Sequence, residues 1–126
     1  MALAWIAAIA LVGPLLVERE IDASKGAFAG SDIAAAVDHA DTARSIEPWA
    51  ASPYLQLGLI AESEGEYDLA IERLSQAVER EDGNWALYAL RSRVEASAGD
   101  TEAAHADLEE ARRLNPLAPQ LKAVGE

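Results

Sequence analysis

From Glu18 onward the apolar positions of this chain fall three or four apart, as Ala77 and Val78 do from Leu74. That spacing lines apolar side chains along one stripe of an α-helix, and it predicts helices and no strand. Punctuation sets their limits. The first helix is expected from about Val17 to Ala29, ended by Gly30, with Ser31 or Asp32 capping a second that runs to about Ile46 before Pro48. Ser52 then precedes Pro53, an N-cap followed by a proline suited to a first turn; this third helix reaches Glu64 and breaks at Gly65. The fourth spans about Glu66 to Arg80. Asp82, Gly83 and Asn84 form a turn, and Asn84 caps a helix from Trp85 to Ala98. Gly99 and Asp100 repeat the break and the cap, and the sixth helix closes near Leu114, at Asn115 and Pro116.

The six helices recur as units. Ala36, Ala43 and Pro48 are followed at a fixed spacing of 34 by Ala70, Ala77 and Asp82, and again by Ala104, Ala111 and Pro116. A fixed period of this length marks stacked supersecondary units. One helix pair cannot bury its apolar stripe alone, whereas about three stacked pairs build a continuous core. The expected architecture is therefore all-α, with helix-turn-helix repeats at 17–50, 51–84 and 85–118, an apolar segment at 1–17 before them and a short tail at 119–126.

In the middle unit, Tyr54, Leu57, Gly58, Ala70, Leu74 and Ala77 stand in an order that resembles the tetratricopeptide repeat. The third unit matches at Tyr88, Ser92, Ala104, Leu108, Ala111 and Pro116 but has Arg91 where the pattern has leucine, and departs again at Glu95. The first matches at Ser24, Ala27, Ala36, Ala43 and Pro48, with Glu20 and Ala40 where larger apolar residues are usual. The resemblance covers residues 17–118 and implies an α-α superhelix that binds a protein or peptide on the concave face lined by the first helix of each pair. Helical spacing then selects Lys25 and Phe28 from the first unit, Leu55, Gln56, Leu59 and Glu62 from the second, and Ala89, Leu90 and Arg93 from the third. The leucines would hold an extended segment or a partner helix, and Lys25 and Arg93 a carboxylate; packing of the leucines into the core is the other reading. More narrowly, an apolar span followed by an acidic, alanine-rich run is similar to the C-terminal tails of bacterial O-antigen ligase or polymerase-like membrane proteins. That likeness implies an accessory domain in polysaccharide assembly and carries over no catalytic residue.

The opening MALAWIAAIALVGPLLV is uncharged for 17 residues. This is at the short limit for a spanning helix, and it reads as a membrane helix or the remnant of one, with Trp5 suited to an interface. An atypical signal peptide and a helix buried against the repeats are the alternatives. No basic cluster follows, so the repeats are expected outside the cytoplasm.

Charge narrows the partners. A formal net charge of −12, spread over all three units, repels phosphate backbones and argues against nucleic acid. Cysteine is absent, so no disulfide framework or thiol nucleophile is available. His39 and His105 lack a companion ligand one helical turn away, and Glu62, Glu64, Glu66 and Asp68 gather at an exposed turn, so both sets read as surface and structure. No catalytic residue, cofactor or metal is expected. The face carrying Ala104, Leu108 and Ala111 is expected to be incompletely covered by the short tail, and to meet another copy or a partner. Together these features point to a membrane-tethered, non-catalytic protein-interaction module with a scaffold or assembly role.

Overall fold

The computed structural model describes residues 2–122, with side chains described from Val12 to Pro119 and at Leu121. Its helices are α1 (Ala2–Ala29), α2 (Ile33–Ile46), α3 (Ser52–Ser63), α4 (Tyr67–Arg80), α5 (Trp85–Ala98), α6 (Thr101–Leu114) and the single turn α7 (Pro119–Lys122). Among the described residues there is no strand. The six long helices form three hairpins, α1 with α2, α3 with α4 and α5 with α6. Each hairpin packs on the next through α2 against α3 and α4 against α5.

The period of 34 is written in the backbone as well as in the side chains. At the hairpin tips, the amide nitrogens of Asp32, Glu66 and Asp100 each donate to a carbonyl five residues back, on Ala27, Ala61 and Glu95. This closure needs one residue with positive φ just before it. Gly65 (φ 76°) and Gly99 (φ 90°) fill that place in the second and third units, and Ser31 (φ 62°) fills it in the first. The sequence points to Gly30 as the break, but Gly30 stands one position early. Asp32 and Asp100 cap the helices that follow, accepting from Ala35 N at 3.1 Å and Ala103 N at 3.0 Å. Glu66 makes no such bond, because its longer side chain does not close the ring. Asn84 caps α5 as expected. Ser52 does not cap α3: the helix begins at Ser52 itself, Ala51 takes the cap position, and proline supplies the pre-set first turn.

Small residues set the spacing within each hairpin. Ala36, Ala70, Ala43, Ala77 and Ala111 are wholly buried, and Ala104 nearly so. Opposite them, a Cβ on Gly58 would come within 2.9 Å of Leu74 Cγ. The equivalent residues are serines, and both donate across their hairpins: Ser24 Oγ to Ala36 O at 2.7 Å and Ser92 Oγ to Ala104 O at 2.6 Å. A buried hydroxyl is stable there only because the carbonyl accepts it. The core is a row of clusters, not one centre. Val17 and Ile21 pack on Ala43; Tyr54 and Leu87 on Ala77 and Val78; Leu74 and Val94 on Ala70.

At the N-terminal end α1 runs unbroken from Ala2 into the first repeat, with Pro14 inside it. No helix among the described residues is long and apolar enough to cross a membrane. The side chains of 1–11, Trp5 included, lie outside the described residues. At the other end, Ala104 and Ala111 are not left bare. Ala118 and Leu121 are buried against Ala111, beside Leu108, Trp85 and Tyr88, and Arg112 holds α7 by donating to Leu121 O at 3.3 and 3.2 Å.

Candidate functional site

The first helix of each pair supplies the candidate face. Phe28, Leu55, Leu59, Ala89 and Leu90 are half-buried, Lys25 and Arg93 are exposed, and Gln56 is buried. Leu55 and Leu90 also pack on the clusters between the second and third hairpins, so each spends one side on the core and offers the other. Gln56 turns inward and leaves the face. The core packing weighed from the sequence is therefore seen for Leu55 and Leu90, each of which keeps a partly exposed side.

The charged members do not stand free. Arg93 reaches one hairpin back and grips Glu62 with two parallel bonds, Nε to Oε1 at 3.0 Å and Nη2 to Oε2 at 2.5 Å. A bidentate guanidinium–carboxylate pair fixes geometry as well as charge. Arg93 thus already holds a carboxylate of its own chain. Lys25 lies 3.7 Å from Asp22 in an exposed pair that adds little stability. Lys25 also borders a cleft with Glu18, Ile21 and Ser52, where α1 meets the start of α3.

Sequence reasoning flagged Arg91 and Glu95 as departures but did not see what joins them. Arg91 holds Asp107 of α6 with Nε–Oδ2 at 2.6 Å and Nη2–Oδ1 at 2.8 Å, and donates to Ser75 Oγ of α4 at 3.1 Å. Glu95 Oε1 lies 3.7 Å from Arg91 Nε, and its Oε2 is buried without a hydrogen-bond partner among the described residues. Burial first, and then the charge of Asp107, push the Glu95 carboxyl up to about 7. The bond to Asp107 raises Arg91 further above its already high range. Asp107 was not singled out from the sequence, because nothing along α6 marks it as the residue across the hairpin from Arg91. A buried acid in place of alanine perturbs pKa values for structural reasons as readily as for catalytic ones. The bonds of Arg91 run between helices, so the cluster ties α4, α5 and α6 together.

His39 bonds Glu20 through Nδ1 at 2.7 Å and joins α1 to α2, which gives Glu20, one of the two departures of the first unit, a structural task; the other, Ala40, is buried. His105 is exposed. Among the described residues no three metal-ligating side chains converge.

Neither a family model nor a curated protein matches the chain. Solved structures do. The chain is similar to the tetratricopeptide domain of Arabidopsis OM64, with 19% identity, 88% of this chain and 92% of that one covered, and a TM-score of 0.78. It is similar to the second such domain of human RPAP3, solved with the HSP70 peptide SGPTIEEVD, at 17% identity, 88% and 92% coverage and a TM-score of 0.79. It is also similar to the Yersinia enterocolitica type III secretion chaperone SycD in complex with a peptide of the translocator YopD, at 18% identity, 85% and 82% coverage and a TM-score of 0.75. At these identities the likeness shows the fold, a tetratricopeptide-like helical repeat. The narrower likeness to O-antigen ligase tails finds no support in these comparisons.

Proposed function

We propose that the chain is a non-catalytic interaction module whose α1–α3–α5 face holds a peptide segment of another protein. The observation that carries this is the set of half-buried Phe28, Leu55, Leu59 and Leu90, contributed by three successive hairpins, with Leu55 and Leu90 held in place by core contacts. Preformed apolar positions lower the cost of ordering a bound segment. Similar folds solved with peptides, RPAP3 and SycD, support the reading. With Arg93 engaged by Glu62, the segment is selected by its apolar residues and not by a terminal carboxylate.

The test is a displayed peptide library selected against the wild-type chain. Selected peptides are expected to lose at least tenfold in affinity for Leu59→Glu and to keep it for Trp49→Glu, on a loop away from the face. Equal binding to both variants would remove the face from consideration. Membrane attachment through residues 1–17, with the repeats outside the cytoplasm, is a separate proposal that rests on the uncharged run alone. A reporter fused at the C-terminus and active only in the cytoplasm would overturn the orientation.

A further inference from the structure

Between α2, α3 and α4 lies a cleft of about 230 Å³ that shares no residue with the α1–α3–α5 face. Its floor is Leu57, Ile60 and Ala61 of α3, all buried, and its charged lining is Asp41, Glu64, Glu66 and Arg73. One period later the floor positions carry Arg91, Val94 and Glu95, and Ser75 and Asp107 stand where Asp41 and Arg73 do. There the space is filled. Arg91 reaches from α5 to Asp107 and to Ser75, and Glu95 lies beside it. In the first seam Leu57 and Ala61 stand in place of these longer side chains, and the cleft is the volume they leave.

The first seam keeps acids in its lining but has no arginine in its floor. Asp41 Oδ1 is buried without a hydrogen bond among the described residues. Arg44 Nη2 lies 2.9 Å from it on the same helix, as an ion pair only. A buried acceptor in that state gains from a donor that enters. Glu64 and Glu66 are exposed, so three acids stand against one base in the lining. That base, Arg73, donates to Gln76 Oε1 of its own helix at 3.1 Å. We propose that this cleft takes an arginine side chain from a segment of another protein. The apolar floor suits the methylene stem of arginine, and Asp41, Glu64 and Glu66 suit its charged head. The second seam shows the equivalent space holding that side chain. A free amino acid is disfavoured, because its carboxylate would meet Glu64 and Glu66. The proposal does not depend on the peptide-binding reading of the α1–α3–α5 face.

The probe is a peptide of one arginine between two pairs of alanines, acetylated and amidated so that the guanidinium is its only charge. Titrated against the isotope-labelled full chain, it is expected to shift the amide signals of Ala61, Glu64 and Leu69 saturably. Citrulline in place of arginine keeps the shape and removes the charge, and should weaken binding about tenfold. Asp41→Asn in the chain should do the same, and Glu64→Gln, at an exposed position, should weaken binding about threefold. Glu102→Gln, the same loss of charge on α6, should leave binding unchanged. No saturable shift, equal binding of the arginine and citrulline peptides, or unchanged binding in both Asp41→Asn and Glu64→Gln overturns the proposal. An equal loss in Glu102→Gln overturns it too, because the acidic surface as a whole then holds the peptide. So does a norleucine peptide that binds as tightly, which makes the cleft an apolar socket. Free arginine that binds as tightly as the peptide assigns the cleft to a small molecule and likewise overturns it.

Discussion

Ser31 holds a backbone angle that its two counterparts give to glycine. A side chain in that conformation costs about 1 kcal/mol relative to glycine. Ser31→Gly is therefore expected to raise stability by about 0.5–1 kcal/mol in a denaturant titration, and Gly99→Ala to lower it by a similar amount. Gly58 answers to a different constraint. Alanine there would gain about 1 kcal/mol in helix propensity. Its Cβ would also press on Leu74 Cγ at 2.9 Å, inside a seam with no room to yield. Overpacking of this kind costs about 1–3 kcal/mol. Gly58→Ala is expected to destabilise the chain, whereas alanine at the equivalent Ser24 or Ser92 should lose only the value of one buried hydrogen bond, about 1 kcal/mol. A gain in melting temperature for Gly58→Ala would show that the two helices stand farther apart than described here.

At the scale of the element, the third hairpin replaces part of an apolar seam with Arg91, Glu95 and Asp107. Removing the guanidinium alone leaves two acids facing each other, so Arg91→Leu is expected to cost about 3–5 kcal/mol. Replacing all three with apolar residues should be close to neutral. The cluster also makes stability depend on pH. An ordinary glutamate releases its proton near 4.5, while Glu95 holds one up to about 7 in the folded chain. The folded state then binds that proton more tightly than the unfolded state. The contribution is complete below pH 4.5 and is lost as pH rises through 7. Urea midpoints at pH 5 and pH 8 should show Glu95→Gln gaining on wild type toward the higher pH; a constant difference would mean that Glu95 ionises normally. These residues also mark how far sequence reading reaches. The hairpins were legible because alanines, glycines and caps recur at one period, and each does the same local work in every unit. Arg91 and Glu95 were visible as exceptions. Their meaning was not, because it depends on Asp107 lying across the hairpin, a contact that spacing along one helix does not reveal. Ser52 misled for the opposite reason: proline sets that first turn without help from a hydroxyl. On the candidate face, spacing picked out the half-buried leucines but missed the inward turn of Gln56 and the closure of Arg93 on Glu62.

Taken whole, the molecule is a row of neighbours without a common centre, so its ends and its middle should not be equally stable. Each hairpin contacts only the next, and the contacts of α3 to α5 are made on both sides. Amide exchange is expected to be slowest in those helices and faster in α6 and α7, where one side is open. Uniform protection along the chain would mean that the stack unfolds as a single unit. The pair between Glu62 and Arg93 has a consequence for how the face reads its surroundings. The chain carries a large negative charge, yet Glu62 and Arg93 on this face cancel each other in place. An apolar segment arriving there meets little net field, so its affinity should hardly change as sodium chloride is raised, whereas contacts made elsewhere on this acidic surface would be screened away.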